Sequence, residues 1–213
     1  MLGTLADLLA EENNIGHEIK LSLCLDVAKG LRALHNSGII HSDVKSENIL
    51  IFRDKRYEYI AKIGDFGCSI AENPNGAYLN GGSPPWTAPE WTKWIPAVEL
   101  CKTDVYSFGL LVWRVMSGAP DPFRSLLDLQ TTSRSVLGRA RIEELKNDGD
   151  NLLWMLEENM SSTLTAKFEQ AVMQAVIQTL RHTVRRIPVE RGLDIAVALL
   201  SSVVQRGSNH RMR

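Results

Sequence analysis

Asp43, Lys45 and Asn48 lie close together in the stretch His41-Ser42-Asp43-Val44-Lys45-Ser46-Glu47-Asn48-Ile49-Leu50. A carboxylate can accept or orient a proton, an ammonium can offset developing negative charge, and a carboxamide oxygen is a hard metal ligand. A second carboxylate, Asp65, follows downstream and opens Asp65-Phe66-Gly67. Two hard oxygen donors suit Mg²⁺, which retains waters and takes phosphate oxygens rather than filling a protein cage. The apolar residues directly after Asn48 can bury as a strand and hold the polar trio at its edge.

The elements that must position these groups are readable from periodicity. Residues 3–10 suggest a short helix, and a polar connection over 11–16 ends in Gly16. From Glu18 to His35, Ile19, Leu23, Val27, Leu31 and Leu34 recur every three or four positions, the stripe of an amphipathic helix that Gly38 can end. Ile49–Phe52 and Tyr59–Ile63 are β-prone segments flanking the charged turn 53–56. Residues 64–89 are rich in Gly, Pro, Asn and Ser and predict a long irregular loop, of the kind that carries function. Helical spacing returns at 103–117, where Val105, Phe108, Val112 and Val115 share a face. Further helices are predicted near 139–147, 150–158, 163–185 (Leu164, Phe168, Val172, Val176 and Leu180 inward) and 193–204, with a frayed basic tail beyond.

Composition narrows the class. The 213 residues are 44% hydrophobic and 23% charged, as in an ordinary globular chain long enough to bury one good core. A formal net charge of −1 argues against non-specific nucleic-acid binding. Cys24, Cys68 and Cys101 are odd in number and form no C-x-x-C pair, which predicts a reducing compartment without disulfides or a zinc site. No apolar run is long enough to span a bilayer, and no basic segment precedes an apolar one at the start. These features predict an intracellular, cytoplasmic protein with no membrane partner.

Taken in order, His-x-Asp-x-Lys-x-x-Asn at 41–48, Asp65-Phe66-Gly67, Ala88-Pro89-Glu90 and Asp104-Val-Tyr-Ser-Phe-Gly resemble the landmarks of a eukaryotic-type protein kinase. Asp-Phe-Gly alone is a common tripeptide, but the four landmarks in this order and spacing are specific. The resemblance implies an α+β, mainly α-helical fold: the C-lobe, with short β-hairpins carrying the catalytic loop and the Asp-Phe-Gly motif. It further implies ATP and Mg²⁺ as cofactors and a protein substrate. Asp43 would be the catalytic base and Lys45 would offset charge on the transferred phosphate, while Asn48 and Asp65 would hold Mg²⁺. Ser83 would bond the catalytic Asp and Lys in a substrate-positioning loop, where Trp86 replaces the usual aromatic. Asp104 would accept backbone N–H bonds from the catalytic loop, and Arg191 would pair with Glu90. The family has an Asp where this chain has Ile187, which weakens that last parallel.

His41 and His35 read as packing residues rather than general bases, and Cys68 as a small packed residue rather than a reactive thiol. The turn at 53–56 reads as a solvated hairpin.

The sequence departs from the family pattern in two further ways. Ser42 stands where the family usually has Arg, which predicts that activity does not depend on phosphorylating the loop between Gly67 and Ala88. No G-x-G-x-x-G occurs, and Lys62 follows the catalytic loop, in the wrong order for the lysine that holds the α- and β-phosphates. Residues 1–205 are therefore expected to form the C-lobe portion of a serine/threonine kinase domain, without the N-lobe, and to turn over little alone. The alternative is a non-catalytic kinase-like module that binds a kinase or its substrate. A small-molecule phosphotransferase is disfavoured by Ala88-Pro89-Glu90 and the Asp104 motif.

Overall fold

The computed structural model describes residues 1–11, 15–55, 57–118, 123, 136–164 and 170–210. In chain order the elements are β1 (Gly3–Thr4), α1 (Leu5–Glu11), α2 (His17–Asn36), β2 (Ile39–Ile40), β3 (Ile49–Asp54), β4 (Glu58–Ile63), β5 (Ile70–Ala71), α3 (Ala97–Ser117), α4 (Val136–Asn147), α5 (Gly149–Leu164), α6 (Gln170–Thr183) and α7 (Leu193–His210). Single 3₁₀ turns occupy Ser46–Asn48, Phe66–Cys68 and Pro188–Glu190.

Helix α2 ends as its sequence suggests, with the amides of Ser37 and Gly38 capping the carbonyls of Leu34 and His35, and Gly38 in the left-handed region at φ 68°. The chain then enters β2, which pairs antiparallel with β5 (Ile39 opposite Ala71, Ile40 opposite Ile70). The second sheet has the order β1-β3-β4, with Ile49 opposite Ile63 and Thr4 opposite Leu50. Both sheets hold the segments around Asp43 and Asp65 between fixed strands.

Helix α3 is the centre of the core. Every residue from Thr103 to Met116 is buried, on all sides of the helix. A helix buried all round must be surrounded, and α2, α5 and α6 pack against it. Gly109 lets α6 come close: a Cβ there would lie 2.3 Å from Thr183 Oγ1 and 2.6 Å from Val184 Cγ2. Helix α7 covers α2 and α6, with Ala196 and Leu200 fully buried.

Several sequence expectations are corrected. Gly3 and Thr4 form a strand rather than helix, because β3 offers them a partner. Helix α3 starts at Ala97, six residues early, where Pro96 opens it from the N-cap. The long segment 64–89 is not wholly irregular, since β5 lies inside it. Residues 163 and 164 end α5, and the next helix starts at Gln170; Val172, Val176 and Leu180 face the core as expected, while Phe168 and the Leu164 side chain lie outside the described residues. Arg56 of the hairpin turn also lies outside them. Helix α7 continues through Gln205 to His210, so that part of the tail is helical rather than frayed. The partly buried Val203 and Val204 pack on the core and carry the helix past its expected end; residues 211–213 lie outside the description.

Candidate active site

The 3₁₀ turn Ser46–Asn48 folds the loop back on itself and brings Asn48 under Asp43. Asn48 Nδ2 donates to the Asp43 backbone carbonyl (2.8 Å) and to Asp43 Oδ2 (2.9 Å). Lys45 Nζ donates to the same Oδ2 at 2.6 Å and to Ser83 Oγ at 2.7 Å. One carboxylate oxygen thus takes two donors. The other, Oδ1, is buried and has no hydrogen-bond partner among the described residues, on a residue only 8% exposed. A buried acceptor without a donor is costly, and Oδ1 is the oxygen of this carboxylate that the loop leaves open.

Asp65 is tied to the same loop through its neighbour, because Gly64 N donates to the Asn48 carbonyl at 2.8 Å. Asp65 sits in the left-handed region at φ 55°. Its Oδ1 accepts from Gly67 N at 3.2 Å, and its side chain is exposed. Asn48 uses its Nδ2 on Asp43, leaving the carboxamide oxygen as the metal-type donor. Among the described residues no cluster of three His, Cys, Asp or Glu could hold a metal. An Asn oxygen and an exposed Asp carboxylate fit Mg²⁺ bound together with phosphate oxygens and water, and not a protein-only cage.

Asp104, only 1% exposed, shapes the loop from below. Its Oδ2 accepts from His41 N (2.8 Å) and His35 Nε2 (2.9 Å), and its Oδ1 from Ser42 N (2.8 Å). These bonds hold Ser42 at φ 66°, uncommon for a residue with a side chain. His41 is a packing residue. Its Nε2 faces the Gly64 carbonyl at 2.9 Å, its Nδ1 faces Asp43 N at 3.3 Å, and Phe66 meets its ring edge-on. A carbonyl can only accept, so Nε2 carries the proton. His35 is structural too, and its bond to Asp104 had no sequence signal.

The loop 82–91 is fastened at several points. Trp86 and Thr87 donate backbone N–H bonds to the Ser83 carbonyl. Trp86 is buried in the main core, so it anchors the loop by packing rather than lining a cleft. Trp91 Nε1 donates to the Gly81 carbonyl, and Cys68 packs on Gly81 so tightly that a Cβ there would lie 2.3 Å from Sγ. Arg191 is fully buried and spends all five N–H donors: two on Glu90, and one each on the carbonyls of Arg185 (2.7 Å), Lys102 (3.1 Å) and Arg186 (3.0 Å). Its guanidinium also lies 4.9 Å from the Tyr106 ring centroid. Backbone carbonyls surround Arg191 on this side, and Ile187 is exposed.

A family model described as "Protein kinase domain" matches residues 1–188. The chain belongs to the protein kinase family. It is 37% identical over 121 residues to the serine/threonine/tyrosine-protein kinase HT1 of Arabidopsis thaliana, covering 56% of this chain and 29% of that protein. The dual specificity testis-specific protein kinase 1 of Homo sapiens is 37% identical over 127 residues, covering 56% and 20%. The dual serine/threonine and tyrosine protein kinase of Xenopus laevis is 33% identical over 177 residues, covering 78% and 18%. The chain spans less than a third of the length of each of these relatives. Its mainly helical, few-stranded fold is consistent with a kinase domain, and among the described residues no helix is long and apolar enough to cross a membrane.

A buried cation in this kinase family member carries no motif. Lys146 of α4 is fully buried, with Nζ 2.6 Å from the Pro84 carbonyl, 3.3 Å from Thr87 Oγ1 and 3.5 Å from Glu143 Oε1, and 5.8 Å from the Phe123 ring centroid. Burial pushes its pKa down to about 8, against the raising effect of the Glu143 carboxylate. A signal existed: Lys146 is in register with the buried Ile142 and Leu145.

Proposed function

We propose that residues 1–205 are the C-lobe portion of a protein kinase domain that transfers the γ-phosphate of ATP to a protein Ser or Thr hydroxyl. The observation that carries this reading is the orphaned Asp43 Oδ1 beside a fully bonded Oδ2. Oδ1 accepts the proton of the incoming hydroxyl, while Lys45 and Asn48 fix the carboxylate plane and keep Oδ2 occupied. Lys45, shared between Asp43 and Ser83, couples the base to the loop that would position the acceptor. Asn48 and Asp65 would hold Mg²⁺, which supplies bridging and charge neutralisation at the phosphates. The Asp-x-Lys-x-x-Asn spacing supports Ser/Thr as acceptor; the dual-specificity names among the relatives make tyrosine the competing acceptor.

A second reading, a non-catalytic module that binds a kinase or substrate protein, is favoured by the lack of G-x-G-x-x-G in these residues. Transcript sequence upstream of Met1 separates the two: an in-frame Gly-rich loop and Val-Ala-x-Lys support catalysis. In that longer form, Asp43→Asn is expected to lower turnover by about 10²-fold or more on peptides offering Ser, Thr and Tyr. Unchanged turnover in the variant would exclude Asp43 as the base. Because Ser42 brings no charge, phosphatase treatment of the longer form is expected to leave turnover intact.

A further inference from the structure

Among the described residues, Lys146 is the one lysine buried completely, and it lies outside the constellation that would perform the chemistry. Its ammonium meets the carbonyl of Pro84, next to Ser83, and Ser83 Oγ receives Lys45. Thr87 Oγ1, the second oxygen near Nζ, itself donates to the Pro84 carbonyl at 3.0 Å. The Lys146 contacts therefore fall on a loop whose other end touches the base through one residue. We infer that Lys146 is a positioning residue: it fixes the Ser83–Thr87 loop through the Pro84 carbonyl, and opening of that loop is coupled to hydration of its ammonium. The inference rests on the reading of 83–87 as the acceptor-positioning loop, although the contacts stand without it.

The sign of the pH dependence follows from the burial. Among the described residues, the charged groups that act on Lys146 are Glu143 on its own helix and Glu90 at the end of the loop segment. Arg191 is paired with Glu90, and Tyr106 of α3 lies near both carboxylates, which with burial hold its hydroxyl un-ionised. In the closed loop Lys146 loses its proton near pH 8; in water its ordinary value is 10.5. The hydrated, open state therefore binds more protons between these values, so raising the pH through this window favours the closed loop. Below pH 8 both states are protonated, and the closed loop bears the full cost of the buried charge. Between pH 7 and pH 9 the closed form should gain by up to about tenfold if opening hydrates Lys146 completely.

The test is amide hydrogen exchange on the 213-residue chain, reading Trp86 and Thr87, whose N–H groups bond the Ser83 carbonyl. After correction for intrinsic exchange, their protection is expected to rise several-fold from pH 7 to pH 9, with α7 amides as the internal reference. Lys146→Met is expected to abolish that rise. Should Lys146→Met fail to fold, Glu143→Gln serves instead: removing the carboxylate that supports the ammonium should move the rise to lower pH. A flat pH profile in the wild-type chain, or an unchanged profile in whichever variant folds, overturns the inference. No nucleotide or turnover enters the measurement, so a failed phosphoryl-transfer assay would leave it standing, and the reverse also holds.

Discussion

Asp104 holds two backbone amides and an imidazole with one buried carboxylate, and each of its partners lies in the segment leading into or forming the Asp43 loop. Asparagine at this position keeps one acceptor oxygen but turns an NH₂ toward a buried N–H. Asp104→Asn is therefore expected to cost about 1–3 kcal/mol, visible as a lower denaturant midpoint with an unchanged slope. Asp104 was legible in the sequence through its motif, and so were Asp43, Lys45, Asn48 and Asp65 as a set. What the motif could not supply was which oxygen of Asp43 is left open, because that depends on where Lys45 and Asn48 point. Lys146 was missed because lysine is read by default as a surface residue, and only its register with Ile142 and Leu145 argued otherwise.

At the scale of elements, α3 is the scaffold on which both Asp104 and the Arg191 pocket depend. The spacing of Val105, Phe108, Val112 and Val115 gave one face of this helix, whereas the folded helix is buried on every side. Periodicity identifies the side an isolated helix would bury; it does not register that neighbours cover the opposite face with Thr103, Ser107 and Arg114 inside. The short strands were harder still. β5 is two residues long and owes its existence to β2, a partner far away in the sequence. Close packing of α3 on α6 at Gly109 makes a direct prediction. Thr183 Oγ1, which a new methyl would meet, is itself committed to the Thr179 carbonyl at 2.7 Å and cannot swing away freely. Gly109→Ala should destabilise the chain by about 1–3 kcal/mol despite alanine's better helix propensity, measurable by thermal or urea unfolding.

For the molecule as a whole, polar groups far apart in sequence are gathered beneath one face. The turn at Pro188–Glu190 presents Arg191 to α3 and to Glu90, so the end of the positioning loop is fastened to the helical base by a residue near the C-terminal helix. That pairing was legible as a resemblance, although the Asp that usually precedes the Pro is Ile187 here. The surface above the site has a different character: Phe66 is 51% exposed beside the edge of His41, directly after Asp65. The fully bonded guanidinium also bears on the order in which the chain assembles. Glu90 and Arg191 are 101 positions apart, so their contact closes a long loop and is expected to form late in folding. An interaction absent from the folding transition state acts on the unfolding rate alone. Arg191→Lys, which cannot serve five acceptors, should therefore speed unfolding by a large factor in stopped-flow measurements while leaving the refolding rate nearly unchanged. Arg191 would then set how long the folded kinase fold persists rather than how quickly it is reached.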